Sequence, residues 1–309
     1  MARGAASIRS VCLAGPTASG KSALAIAIAK ELGGTVVNAD SMQVYADLNV
    51  ITARPTNDDM EEVPHRLYGD VNADQRYSAG RFVDDAGQVI EEERHRGRVS
   101  VFTGGTGLYF KGLIEGFSPI PAVPDQILGR WNAQLADSGP DALHAVLADC
   151  DPVLADRIAP GDSQRIVRAL SVNEATGRPL SYWQAQPGSP LLNRATTLCL
   201  FLDPERDWLA ERIDRRFEAM MEAGAVQEVE QLHARKLDPT LPAMRAHGVS
   251  HLIDMLEGRL DRKEAIARGQ ADTRAYAKRQ RTWFRGQMRD WQIVRPGDTA
   301  QAILGSATG

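Results

Sequence analysis

Apolar and polar positions alternate between two periods along the first third of this chain. Residues 10–14 (SVCLA) form a short apolar run that stops at Gly15, and the spacing predicts a strand there. A glycine-rich turn follows, then a helical pattern over residues 22–31 that ends at Gly33-Gly34. The β-branched stretch 35–38 (TVVN) predicts a second strand, and 98–103 (RVSVFT) another, halted by Gly104-Gly105. Strand–helix alternation at this spacing predicts a parallel sheet covered by helices. After Phe117 the pattern changes. Residues 118–124 (SPIPAVP) read as a connector, and 125–176 keep helical periodicity through Leu128, Trp131 and Leu135, then Leu143 and Leu147, then Ile166, Val167 and Leu170. Gly177 and Pro179 close that segment. A strand-like run returns at 196–202 (TTLCLFL), after which Trp208, Leu209, Ile213, Phe217, Met220 and Met221 keep helical spacing. The expected organisation is an α/β core begun by 1–118, a helical insertion at 119–190, and completion of the core with a helical C-terminus over 191–309.

Composition narrows the class without changing this picture. At 43% hydrophobic and 25% charged, the 309 residues are those of an ordinary globular protein. No stretch approaches the roughly 18 uncharged apolar residues of a membrane span, and the apolar run at 23–29 lacks the features of a signal peptide. Cys12, Cys150 and Cys199 are odd in number and widely spaced, which argues against a disulfide framework or a structural zinc site. Reduced thiols in a cytoplasmic protein are the expectation.

Charge matters by its distribution. The net −4 of the whole chain points to no anionic partner, yet residues 259–289 hold ten Lys/Arg against three acids, a local +7. Arg274, Lys278, Arg281 and Arg285 fall at i, i+4, i+7 and i+11, on one helix face. Such a stripe suits a nucleic-acid backbone, and it equally suits a solvated helix. The nearby aromatics Tyr276, Trp283 and Phe284 are expected in the core.

Gly15-Pro16-Thr17-Ala18-Ser19-Gly20-Lys21-Ser22 fits GxxxxGK[ST] between a predicted strand and a predicted helix. In that setting successive backbone N–H groups and the helix N-terminus converge on an anion. Lys21 adds a compact positive charge, and the Ser22 hydroxyl can hold Mg²⁺. This is a nucleotide-binding, ATP-binding type of loop by motif, but the motif does not say which phosphate it takes. Asp40, in Asn38-Ala39-Asp40-Ser41-Met42-Gln43, follows the second strand. It is either a helix cap, with Gln43 completing a capping box, or a carboxylate at the sheet edge where ligands bind. Thr106, in Gly104-Gly105-Thr106-Gly107, is either a helix cap or a further wall of the site. The strand before it lacks a terminal Asp of the Walker-B type and the chain has no NKxD motif, which speaks against a GTPase. Arg216 is either a surface ion-pair partner or a cation for a leaving phosphate.

Taken in order, these motifs resemble the tRNA dimethylallyltransferase (isopentenyl-tRNA transferase) family. The match runs through GPTASGKS at 15–22, NADSMQVY at 38–45, ITARPT at 51–56, VPHRL at 63–67 and YSAGRF at 77–82. It continues with TGGTGLYFKGL at 103–113, DSQRIVRAL at 162–170 and KRQRTWFR at 278–285. The resemblance implies a P-loop NTPase-like parallel-sheet core with a mainly helical insertion domain that contacts tRNA. The P-loop would hold dimethylallyl diphosphate, and the five-carbon group would pass to N6 of the adenosine 3′ of the anticodon in tRNAs reading codons that start with U. Asp40 would be the general base. Residues Asp40, Ser41, Met42 and Gln43 would contact the flipped-out base, and Gln164, Arg165, Ile166, Val167 and Arg168 the tRNA. Thr106 would help hold the reacting centre and Arg216 the diphosphate. Arg245 is retained, with the basic stripe, as a tRNA contact.

The chain departs from the family pattern where members have Arg-x-x-Gly-Tyr and a basic residue. It reads Arg245-Ala246-His247-Gly248-Val249-Ser250 instead, and Arg54 replaces a usual Lys. It carries no C-terminal Cys/His zinc module, so the bacterial type fits. The expectation is a monomeric, cytoplasmic, Mg²⁺-dependent enzyme whose partners are the tRNA anticodon arm and dimethylallyl diphosphate, with no membrane. A P-loop nucleoside or small-molecule kinase using ATP is the first competitor, and an RNA-binding P-loop protein without transferase activity the second.

Overall fold

The computed structural model describes residues 8–308. The chain forms two compact units: the described residues up to Ile114 together with those from Leu191 onward, and Glu115–Pro190.

The first unit is an α/β fold. Its strands are β1 (Ser10–Ala14), β2 (Thr35–Asn38), β3 (His65–Arg66), β4 (Ser100–Gly104), β5 (Thr197–Leu202) and β6 (Gln292–Val294). They make one sheet in the order β3-β2-β4-β1-β5-β6, with every pairing parallel. Its main helices are α1 (Lys21–Leu32), α2 (Ala79–His95), α3 (Gly107–Ile114), α4 (Arg206–Glu222), α5 (Ala225–Ala234), α6 (Val249–Leu256), α7 (Arg262–Gln287) and α8 (Ala300–Thr308).

Strand residues alternate between two separate cores, as the two-residue period of a strand requires. Val11, Leu13, Val36, Val101, Leu200 and Leu202 pack with α1 and with Ala300 and Ile303 of α8. Cys12, Ala14, Val37, Phe102, Cys199 and Phe201 face the other way, toward α2, α3 and the C-terminal helices. Both faces are therefore covered, which is why the strands read as continuous apolar runs. The chain leaves β1 between β4 and β5, so the loops after β1, β2 and β4 share the C-terminal edge of the sheet, where doubly wound folds bind ligands.

Helix α7 is held by both its ends and its middle. Asp261 and Glu264 form a reciprocal capping box at its start. Near its end Phe284 is 1% exposed, packed against Phe110, Phe201 and Trp291. Truncating such a ring costs about 3–5 kcal/mol, so this contact fixes where the helix lies on the sheet.

Two strand starts differ from the expectation. Residues 96–97 form the turn after α2, Arg98 N–H still donates to Glu93 O, and β4 begins only at Ser100. Thr196 belongs to a short 3₁₀ turn capped by Asn193, and β5 begins at Thr197. In the second unit the helix Asp125–Cys150 breaks at Gly139 (φ 78°), where Pro140 lacks an N–H to continue it. It packs with Ser163–Thr176 around Leu143, Leu147, Leu154, Ile166, Val167 and Leu170. Gly177 ends the second helix at φ 65°.

Candidate active site

The P-loop is short, glycine-rich and wound around its own backbone. It passes through the left-handed region at Ala18 (φ 62°) and Gly20 (φ 94°) before α1 begins at Lys21, and the Ser19 amide donates to Pro16 O at 3.2 Å. Lys21 Nζ donates to Pro16 O at 3.4 Å. Two arginines one turn apart on α4 close over the loop. The Arg216 guanidinium donates to the Thr17 hydroxyl, and Arg212 Nε donates to Ala18 O at 3.1 Å.

The charges here are short of anions. Burial pushes the Lys21 ammonium down to about 8; Asp40 opposes the shift and Arg216 adds to it. Burial likewise lowers Arg216 to about 10, again opposed by Asp40 and reinforced by Arg212. A desolvated cluster of cations with one carboxylate nearby favours the approach of an anion.

Asp40 sits in a turn and caps no helix. Residues 41–44 are turn, and Gln43 donates to Thr52 O and Ala53 O, both at 2.9 Å, in place of a capping-box bond. Asp40 Oδ1 accepts from Met42 N at 3.0 Å, and Asn38 brackets the residue by accepting from Asp40 N and donating to Asp40 O. The Thr106 hydroxyl accepts from Ser41 N at 3.0 Å, so the turn after β4 holds the loop that carries Asp40.

One cavity collects these groups. Thr17, Asp40 and Arg216 line it together with Met42, Thr52, Thr273, His247 and Tyr276, and Ile51, Ile213, Phe217, Met220 and Ala246 supply an apolar wall. The Ile51 side is braced by α5, where the Glu228 carboxylate accepts from the amides of Asn49, Val50 and Ile51 at 2.7–2.9 Å. His247 and Tyr276 lie ring to ring with centroids 4.3 Å apart. Burial, then the Arg279 charge, lowers the His247 pKa and favours a neutral imidazole. Burial, then Asp40, raises the Tyr276 hydroxyl and keeps it protonated.

Thr17 of the P-loop, the Asp40 carboxylate, the Arg216 guanidinium and an apolar wall thus meet in one cavity. A sequence model described as IPP transferase matches residues 43–287. The chain belongs to the IPP transferase family. It is 55% identical over 288 residues to the tRNA dimethylallyltransferase of Bradyrhizobium sp. (strain ORS 278), across 93% of this chain and 94% of that protein. To the tRNA dimethylallyltransferase of Methylobacterium nodulans (strain LMG 21967 / CNCM I-2342 / ORS 2060) it is 54% identical over 299 residues, 96% of this chain and 98% of that one. Among solved structures, a eukaryotic dimethylallyltransferase acting on tRNA superposes with TM-score 0.80 at 28% identity, over 94% of this chain and 74% of that one. The tRNA isopentenylpyrophosphate transferase of Bacillus halodurans gives TM-score 0.68 at 32% identity, over 97% and 94%.

In this IPP transferase the remaining candidate residues are dispersed. Gln164, Arg165 and Arg168 are exposed on the helical unit, while Ile166 and Val167 are buried in that unit's core. Arg245 lines a separate open cavity with His233, Leu237 and Met244. Arg274, Lys278, Arg281 and Arg285 do share one groove, between α4 and α7, and Arg206 joins them there. Three of the four stripe residues are already paired: Arg274 with Asp214, and Arg281 and Arg285 with the two oxygens of buried Asp203. Val249 is buried at the start of α6 and Ser250 is exposed. Arg54 donates to Asn49 Oδ1 and Tyr45 O.

Reading the sequence alone missed His247, Gln280, Arg212 and Glu228. Gln280 had a signal: Thr273, Tyr276, Ala277, Gln280 and Phe284 recur at helical spacing on the face away from the basic stripe. Arg212 had one too, four residues before Arg216. Glu228 and His247 had none, because their partners are far away in sequence.

Proposed function

We propose that the chain transfers a dimethylallyl group from dimethylallyl diphosphate to N6 of the tRNA adenosine 3′-adjacent to the anticodon, in tRNAs reading codons that start with U. The observation that carries this is the single cavity in which Asp40 meets both the P-loop–Arg216 cradle and an apolar wall of Ile51, Ile213, Phe217, Met220 and Ala246. The family to which the chain belongs leaves the reading as an ATP-dependent kinase unsupported.

The chemistry follows from the groups present. The exocyclic amine of adenine is a weak nucleophile and must lose a proton as its C–N bond forms, which Asp40 accepts as general base. The bond from the prenyl carbon to the diphosphate oxygen breaks, and charge grows on the departing diphosphate. Lys21, the amides at the start of α1 and the Arg216 guanidinium stabilise it. The apolar wall seats the five-carbon chain. The adenine leaves its stack to enter the site at a cost of about a few kcal/mol. Wide contacts offset this, and we assign them to Lys278 and the basic groove, to Arg245, and to Gln164, Arg165 and Arg168 of a helical insertion spanning 119–190. Ile166 and Val167 support that helix from inside. Thr106 holds the Asp40 loop, while Ser41, Met42 and Gln43 shape the side on which the base enters.

Among the described residues no three His, Cys, Asp or Glu cluster as a metal site. Mg²⁺ takes one or two protein oxygens and fills its shell with phosphate and water. The exposed Ser22 hydroxyl at the start of α1 is the residue that would hold it. Bound there, the ion would neutralise diphosphate charge. Among the described residues no helix is long and apolar enough to cross a membrane. We place the enzyme in the cytoplasm with its tRNA, acting as a monomer.

Pyrophosphate release tests the reading. With purified protein, dimethylallyl diphosphate, Mg²⁺ and unmodified tRNA, pyrophosphate should appear only when tRNA is present and without any ATP. Release that requires ATP, or that ignores tRNA, contradicts it.

A further inference from the structure

Two parts of the candidate site lie far apart in sequence, and one buried side chain ties them together. Gln280, on α7, is 4% exposed. Its Oε1 accepts from the Thr17 amide at 2.9 Å, and its Nε2 donates to Gly105 O at 3.0 Å. One turn earlier on the same helix, Tyr276 packs against the His247 ring and lines the cavity beside Thr17 and Asp40. The turn after β4 is shaped to admit these residues. A Cβ on Gly105 would lie 1.9 Å from Gln280 Nε2, and one on Gly107 would lie 2.1 Å from the Trp283 ring. The glycines of this turn are thus required by side chains of α7.

Each end of this bridge leads to a reacting group. Thr17, held through its amide, accepts the Arg216 hydrogen bond on its hydroxyl. Thr106, next to the Gly105 carbonyl, holds Ser41 N–H and with it the Asp40 loop. Transfer needs the base and the leaving-group cradle at a fixed separation, because a misplacement of about 1 Å costs on the order of 10²-fold in rate. We propose that Gln280 is a positioning residue for the transfer, setting the distance between the Asp40 loop and the Thr17–Arg216 cradle through its two amide hydrogen bonds. This rests on the reaction proposed above.

The amide is suited to the task because it offers one acceptor and one donor on the same plane. A neutral carboxylic acid offers the same pair, whereas a carboxylate has lost the donor. That difference supplies a test which loss of packing alone would not imitate. Gln280→Met keeps the volume and loses both bonds. Its kcat should fall about 10–100-fold, with KM for tRNA within about twofold of wild type. Gln280→Glu should work best at low pH, where the acid donates to Gly105 O and accepts from Thr17 N–H. Its rate relative to wild type should then fall as the carboxyl ionises. The ratio to wild type is the quantity to follow, since Tyr276 on the same helix, Arg212 and Arg216 on α4, and Lys21 and Asp40 on the facing loops are common to both proteins.

The experiment is steady-state transfer to tRNA by the three full-length proteins between pH 5.5 and 9, with circular dichroism as the check on folding. A decline in the Gln280→Glu ratio with rising pH, beside a flat, low Gln280→Met ratio, is the expected result. Wild-type kcat in Gln280→Met, or a Gln280→Glu ratio that does not change with pH, overturns the inference. If Gln280→Met does not fold, the Gln280→Glu profile decides. Absence of transfer by the wild-type protein instead removes the reaction on which the proposal rests.

Discussion

The Arg216 guanidinium donates a hydrogen bond to the Thr17 hydroxyl, joining the middle of α4 to the P-loop. Since burial already lowers the Arg216 pKa to about 10, its charge is held in a site that favours its neutralisation. A departing diphosphate is the partner that makes such a placement favourable. Arg216→Ala should therefore lower kcat by about 10²–10³-fold, the usual effect of deleting one oxyanion donor. KM for the donor should rise, and tRNA affinity measured by filter binding should stay within about twofold.

Lys21 gives a pH dependence whose sign can be worked out. In the free protein its pKa is about 8, lowered from 10.5 chiefly by burial. A bound diphosphate raises it again. Below about pH 8 the lysine is protonated both free and bound, and donor affinity is flat. Above that pH the free protein must take up a proton to bind, so affinity falls by up to about tenfold per pH unit. Titration calorimetry with an unreactive dimethylallyl diphosphate analogue should follow this course, and Lys21→Met should bind more weakly with no such break. By the same linkage, the free fold carries a penalty below about pH 8 that is relieved as pH rises toward 10.5.

Asp40→Asn separates chemistry from architecture. The amide keeps an oxygen for the Met42 N–H, so the turn should persist. The base is gone, and kcat should fall by about 10²–10⁴-fold. Binding of the donor analogue should change far less than the rate. A variant turning over at the wild-type rate would remove Asp40 from the proton transfer.

Two residues of the basic groove should respond differently. Lys278 is exposed, so Lys278→Ala should weaken tRNA binding and reduce the slope of log K against log salt by about 1, with little effect on unfolding. Arg285 also bonds one oxygen of buried Asp203. Arg285→Ala should therefore weaken binding and lower the unfolding free energy by about 1–3 kcal/mol, read from urea denaturation.

What could be read from the sequence was mostly local. The P-loop, its flanking strand and its helix announce themselves because a tight glycine turn must sit between adjacent elements. β3 and β6 did not, because strands of two and three residues exist only through pairing with β2 and β5. The α/β class was legible from alternation, whereas the role of the basic stripe was not: Asp203 and Asp214 meet it only in three dimensions. Gln280 lay inside a recognisable motif, yet its partner Thr17 is 263 residues away. His247 occupied a position at which the pattern allows any residue, and only its contact with Tyr276 in the cavity draws notice to it.

The most direct test of the central claim is nucleoside-level mass spectrometry of a tRNA whose anticodon ends in A. The unmodified tRNA would be incubated with the protein, dimethylallyl diphosphate and Mg²⁺, then digested and mapped. A gain of one C5H8 unit on the adenosine next to the anticodon, and on no other nucleoside, is the predicted result. No gain across several such tRNAs, or a gain placed elsewhere, would contradict the account.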